Sequence, residues 1–294
     1  MRFSIIHNMK IIRLLFLLNL FAIPAMGQRI HVGLFGGLAA YSGDLVDKIY
    51  PKKVTNGAIG FTVNYEVTDQ IMLRTGFTYA VVGGADRFSD KTDTQLRNLA
   101  FETSIAEFSV VGEYYLMNLY ESRFSPYAFA GLALYHYNPY AYNSSNQKTF
   151  LKPLSTEGQG ISGYPDRQPY SLTQLAIPFG GGIKFAITEN LRIGAEVGIR
   201  KLFTDYLDDV SKFYIDPADL LAAKGQLAVD MSYRGDEVTG GSLVYPAKSV
   251  QRGNSKTKDY YYFTGLHLTY KIGNGMGGGG NGKKNHTGCP TNVY

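Results

Sequence analysis

Eight charged residues recur at alternate positions inside otherwise apolar segments: Glu66, Arg74, Glu107, Glu113, Lys184, Arg192, Glu196 and Arg200. An unpaired charge removed from water is costly, so acids and bases in such a pattern are expected to pair in one enclosed network. Catalysis would need a further arrangement. Four histidines follow residue 27, namely His31, His136, His267 and His286. His31 and His267 fall on the first and last strand-like segments and so can share one face. No serine or acid beside them on those strands completes a nucleophile–base set, and no cysteine–histidine cluster has metal spacing. A second group, Asp205, Tyr206, Asp208 and Asp209, lies in "FTDYLDDVSKFYIDPADLLAAKG". Its carboxylates suit loop folding, a surface for a protein partner, or calcium, although the glycine-punctuated spacing of a calcium loop is missing. The only cysteine, Cys289, sits near the end of "GNGMGGGGNGKKNHTGCPTNVY". One thiol closes no internal disulfide. In an oxidising compartment it is left as a free thiol or as half of an intermolecular bond.

The charged positions must be held by strands. In "GAIGFTVNYEVTDQIMLRTGFTYAVV", Ile59, Phe61, Val63, Tyr65 and Val67 share one face, and Gly60, Thr62, Asn64 and Glu66 share the other. After a turn at Thr68–Asp69 the alternation resumes, with Arg74 on the polar face. "NLRIGAEVGIRKLF" sets Arg192, Gly194, Glu196, Gly198 and Arg200 against Leu191, Ile193, Ala195, Val197 and Ile199. Charge alternating with glycine suits a crowded polar interior better than an apolar core. Such segments fall near 29–41, 57–67, 70–82, 104–117, 126–138, 173–187, 190–203 and 259–272. Their connections alternate short (68–69, 118–125, 188–189) with long (42–56, 83–103, 139–172, 204–258). An all-β membrane protein follows: an eight-stranded antiparallel up-and-down outer-membrane barrel with short periplasmic turns and long external loops. A barrel of eight strands is filled by its own side chains, so the interior charges read as a plug rather than a conduit. Asp216 and Pro217 predict a helix start running to about Lys224. The polar, glycine-rich connection 139–172 is expected to be mobile unless a partner orders it.

The first residues set the route. Arg2, Lys10 and Arg13 precede the apolar run Leu14–Ile23, and "PAMGQ" offers cleavage after Gly27, the pattern of a secretory signal. Met9 is an alternative start. These three cations supply most of the net charge of +5, so the exported part is close to neutral and gives no electrostatic reason for nucleic-acid binding. With 23 Tyr, 17 Phe and no Trp, and no later run of about 18 apolar residues, strands rather than helices must carry any membrane span. The organisation expected is signal peptide 1–27, barrel 28–273 and a glycine-rich periplasmic tail 274–294.

"GLFGGLAAYSGDL" and "FTDYLDDVSKFYID", some 165 residues apart, resemble a PorG-like family of Bacteroidetes outer-membrane barrels that includes a component of the type IX secretion and gliding machinery. The resemblance spans essentially the whole mature chain and implies a non-enzymatic barrel without cofactor, metal or small-molecule substrate. It further implies a position in outer-membrane lipid, linked to a periplasmic ring built from a lipoprotein and its partner subunit. On that resemblance the ring lipoprotein is the disulfide partner expected for Cys289. A barrel whose loops bind a surface ligand, as an adhesin does, and a lipid-modifying or proteolytic barrel enzyme are the alternatives.

Overall fold

A computed structural model describes residues 30–46 and 54–272. The signal segment, the tail, His286 and Cys289 lie outside the described residues. Ten strands form, β1 (Ile30–Ser42), β2 (Asn56–Thr68), β3 (Ile71–Ala85), β4 (Ala100–Tyr115), β5 (Phe124–Tyr137), β6 (Tyr140–Tyr142), β7 (Lys148–Phe150), β8 (Thr173–Ala186), β9 (Leu191–Leu202) and β10 (Tyr260–Ile272). β6 and β7 make a small hairpin attached to β4 through Glu102 and Tyr140. The other eight pair antiparallel, each with its neighbour, and β1 closes on β10 from Ile30 against Ile272 to Ser42 against Tyr260. β3 pairs with β4 and completes the ring, so the described residues form a closed eight-stranded barrel.

The pleat puts apolar side chains outside. Each barrel strand contributes at least one exposed apolar residue: Leu34, Ile59, Phe77, Phe108, Leu132, Leu175, Val197 and Leu266. The polar partners point inward, and Thr62, Asn64, Ser125 and Thr269 are buried. Water favours the opposite distribution, so a wall built this way is matched to hydrocarbon. No described helix is long and apolar enough to cross a membrane.

One end of the barrel carries the short connections. Thr68 Oγ1 accepts from the amides of Gln70 and Ile71, and Thr188 Oγ1 does the same for Asn190 and Leu191, so a threonine folds each of these two turns. The opposite end, the mouth, carries the long connections. Here β3 and β4 outrun their sequence-expected limits of 82 and 104. Gly83 and Gly84 lie beyond the expected strand, yet Gly84 stays paired with Phe101. The Phe101 ring occupies the space beside Gly84, with Cε1 3.0 Å from where a Cβ would stand.

The long connections after β3, β5 and β9 are folded over the mouth. They contain α1 (Thr92–Arg97), α2 (Pro217–Lys224) and α3 (Gln226–Ser232). Asp216 caps α2 by accepting from the Ala218 amide at 2.9 Å, with Pro217 in the first turn, as the sequence predicts. The expectation that 139–172 is mobile is corrected. Leu151, Thr156, Glu157, Gln159, Tyr164, Arg167 and Tyr170 are all buried. Gly158, Gly160 and Gly163 have positive φ and serve as tight bends of an ordered loop.

Candidate functional site

The barrel interior gathers the alternating charges in tiers. Nearest the short turns, His31 Nε2 lies 3.0 Å from Glu66, which also accepts from Tyr120 OH at 2.8 Å. Lys271 donates to the same Tyr120 hydroxyl at 2.8 Å, and the buried Arg192 guanidinium lies 5.3 Å over the Tyr120 ring. In the middle tier Arg74 Nη1 is 2.6 Å from Glu196 and 3.1 Å from Glu113. Lys184 reaches Glu113 at 3.2 Å, and Tyr127 OH donates to Glu196 at 2.7 Å. Toward the mouth, Arg200 pairs with Glu107 at 3.2 Å, and Tyr261 OH donates to the same carboxylate at 2.6 Å. All eight residues picked out by alternation therefore face the lumen. What the alternation did not reveal is the role of Tyr115, Tyr120, Tyr127 and Tyr261, whose hydroxyls donate to the same carboxylate oxygens that the lumenal cations and His31 reach. Their inward parity on strands β4, β5 and β10 was the available signal for three of them; Tyr120 sits in a turn and carried none.

The lumen leaves little free space. A void of about 20 Å³ lies among Phe35, Thr62, Arg74, Gly76, Arg200 and His267, room for roughly one water molecule. Arg74, Glu196, Arg200 and His267 in its lining are held in ion pairs, so the interior performs as a polar core. His267 lies 3.4 Å from Glu196 and 3.2 Å from Arg74, while His136 is exposed and bonded to Thr173. Among the described residues neither histidine meets a serine positioned as a nucleophile.

At the mouth the polar lumen gives way to rings. Tyr135 stacks on Tyr137, Tyr137 on Tyr170, and Tyr170 on Tyr206, at centroid separations of 5.5, 6.3 and 5.0 Å. Leu99, Phe101, Leu151, Leu202, Leu207, Val210 and Met231 pack with them. This is a small apolar core inside the mouth, built jointly by the strand ends and the long connections.

Of the roles left open for these aspartates, loop folding is the one the structure bears out and the partner surface is corrected: they are part of that seal. Asp205, Asp208 and Asp209 are buried and Tyr206 is half-buried. The correction has a physical reason: the apolar residues Leu207 and Val210 are drawn into the mouth core and carry their neighbours with them. Asp209 accepts from Thr156 Oγ1 at 2.5 Å and from Tyr170 OH at 2.7 Å. Glu157 accepts from the Ser211 and Lys212 amides and pairs with Arg252 at 3.1 Å. Asp86 holds Arg97 through two bonds of 2.7 Å. Burial pushes Asp205 up to about 7 and Asp209 to about 6, and raises Asp208 and Asp259 well above the carboxylate range. Asp44, Glu157, Arg252 and Asp259 were not singled out by sequence, because lone charges in long loops carry no periodicity. No cluster of three or more ligands fit for a metal occurs among the described residues.

Residues 9–213 match the model of a family described as "Domain of unknown function (DUF6089)". No curated protein matches the chain. Among solved structures it is similar to Neisserial surface protein A, with 11% identity, 83% of this chain and 97% of that one covered, and a TM-score of 0.40. It is similar also to Ail, the attachment invasion locus protein of Yersinia pestis in complex with the heparin analogue sucrose octasulfate, at 10% identity, 82% and 98% coverage and a TM-score of 0.37. For the outer membrane protein OprG of Pseudomonas aeruginosa the figures are 10%, 83%, 98% and 0.38.

Proposed function

The chain belongs to the family described as Domain of unknown function (DUF6089), and we propose that it is a non-enzymatic outer-membrane barrel that anchors other proteins rather than passing or converting a solute. The observation that carries this reading is the filling of its two compartments. The lumen is closed by ion pairs and the mouth by a tyrosine-rich core, while the outer wall presents apolar side chains to lipid. A sealed barrel of this kind offers its partners a fixed membrane position. The assembly is the type IX secretion and gliding machinery, with the barrel positioning the periplasmic ring. Support for that role is the PorG-like resemblance of residues 33–45 and 203–216, and the two segments meet in the fold through Tyr41 and Asp208. Even in strand number, the barrel starts and ends on the side of its short turns, so with the long loops outside, Ile30 and Ile272 both fall on the periplasmic side.

Deletion of the gene tests the proposal. Loss of export of proteins that carry C-terminal secretion signals is expected, with retention of a ring lipoprotein on affinity-purified barrel. Intact export would reject the machinery role. A second reading, binding of a surface partner by the cap, is favoured by Leu243 and Val244, which are 85% and 75% exposed on the long connection before β10. Unchanged export together with altered surface binding would select it.

A further inference from the structure

The two sequence segments that resemble the PorG-like family meet at one hydroxyl. Tyr41, near the end of β1, reaches Asp208 Oδ2 at 2.5 Å and Asp259 Oδ1 at 3.2 Å. All three residues are buried. Asp208 Oδ1 accepts from the Val210 amide and Asp259 Oδ2 from the Leu207 amide, each at 2.9 Å. A phenol has one proton and cannot donate to both carboxylates at once. The contacts are satisfied together only if one of the two carboxyls carries a proton and donates to the Tyr41 oxygen, which in turn donates to the other. The shorter contact, to Asp208, is the one expected of a hydroxyl donating to a charged carboxylate, which leaves the proton on Asp259 Oδ1.

We propose that Asp259, Tyr41 and Asp208 form a proton-binding latch that fastens the long connection 203–259 in the barrel mouth and releases it when the proton leaves. Asp208 and Asp259 lie at opposite ends of that connection, so one proton ties both ends to β1. Gly43 is part of the fitting. A Cβ there would stand 2.1 Å from both Asp259 Oδ1 and Tyr41 OH.

The charges around the latch favour the proton. Asp44 faces it from the connection after β1, and Asp205 from the connection after β9. Tyr135 and Tyr137 approach Asp259 from β5, and Asp209 and Glu157 stand on the far side of the same cap. The nearby cations are engaged: Arg97 with Asp86, and Arg252 with Glu157, leaving Lys258 facing Asp205. Among the described residues no lysine, arginine or histidine forms an ion pair with Asp205, Asp208 or Asp259. Burial, with Asp259 and Asp44 around Asp208 and Asp205 and Asp44 around Asp259, holds both carboxyls far above their ordinary range. The sign follows. A carboxyl raised in the closed state stabilises closure fully at low pH, and the contribution is lost as pH rises through its closed-state pKa.

Hydrogen exchange of the full chain in lipid discs, expressed as protection factors from about pH 5 to about pH 9, reads the latch. Protection across 203–259 should fall by about tenfold per pH unit once the proton begins to leave, while the barrel strands stay protected. Asp259→Asn retains an N–H for the Tyr41 oxygen and a carbonyl for Leu207, so its cap should remain protected and lose the pH dependence. A flat wild-type profile, or an Asp259→Asn cap exposed at every pH, would overturn the proposal. Should Asp259→Asn not fold, the infrared carbonyl stretch of a protonated carboxylic acid at neutral pH decides it, read in an Asp205→Asn background because burial pushes Asp205 itself up to about 7. Its presence supports the latch and its absence refutes it.

Discussion

Replacing Arg74 by methionine removes the cation at the centre of the lumen while keeping most of the stem. Arg74 Nη1 serves Glu196 at 2.6 Å, Glu113 at 3.1 Å and His267 at 3.2 Å. After substitution Glu113 retains Lys184 at 3.2 Å, but Glu196 keeps only Tyr127 OH at 2.7 Å and His267 at 3.4 Å. Glu196 becomes a buried carboxylate without a permanent cation. Breaking one side of a buried pair costs about 3–5 kcal/mol, or roughly two to four orders of magnitude in the unfolding equilibrium. The assay is denaturant unfolding of the chain folded in lipid vesicles, followed by the heat-sensitive gel migration of closed barrels. Arg74→Met/Glu196→Gln should regain most of the loss, because the orphaned charge is gone. A single-variant cost below about 1 kcal/mol, the range of exposed pairs, would refute the sealed-network reasoning. So would a double variant as unstable as the summed singles.

Four further outcomes are expected. Val197→Arg places a charge on the lipid face and should cost about 2–4 kcal/mol near the bilayer midplane, measured in the same unfolding assay. Gly198→Ser, one residue away and inward, will also carry a cost. A Cβ at Gly198 would stand 2.5 Å from Arg200 Nη1 and 2.8 Å from Phe129 Cζ, so both buried side chains must move, Arg200 against its Nε and Nη2 bonds to Glu107. Gly43→Ala should loosen the cap, seen as faster proteolysis within 203–259, while the barrel still resists heating to the same temperature. For Cys289, non-reducing gels of cells quenched with alkylating agent should show a heavier species that disappears with reductant and in Cys289→Ser; a monomer alone would end the disulfide reading.

The barrel was legible because its signals are periodic. Two faces per strand are enforced by the pleat, so Glu66, Arg74, Glu196 and Arg200 could be assigned inward without knowing any neighbour. The alternation of short and long connections likewise gave strand order and the common side of both termini. The mouth was not legible in this way. Asp205, Asp208 and Asp209 look like surface residues in "FTDYLDDV", and their burial depends on contacts with Tyr41, Thr156, Tyr170 and Asp259 from distant segments. Long-range pairing of that kind leaves no period in the chain. Gly83 and Gly84 lie beyond the expected strand for a related reason, since a glycine that makes room for a ring looks the same as one that ends a strand. The glycines of 157–163 read as looseness, whereas they supply the positive φ of a tightly folded loop.

The central claim is a closed barrel, lipid outside and packed polar residues inside. Spin labels placed singly along β9 at Leu191, Ile193, Val197 and Ile199, and inward at Ser109 and Thr269, test it in vesicles, on a Cys289→Ser background. The outward labels should be reached by oxygen dissolved in the bilayer and shielded from a water-soluble relaxation agent. The two inward labels should be shielded from both. Access of the water-soluble agent to Ser109 and Thr269 would mean an open channel, and its access to the β9 labels would mean a wall that faces water.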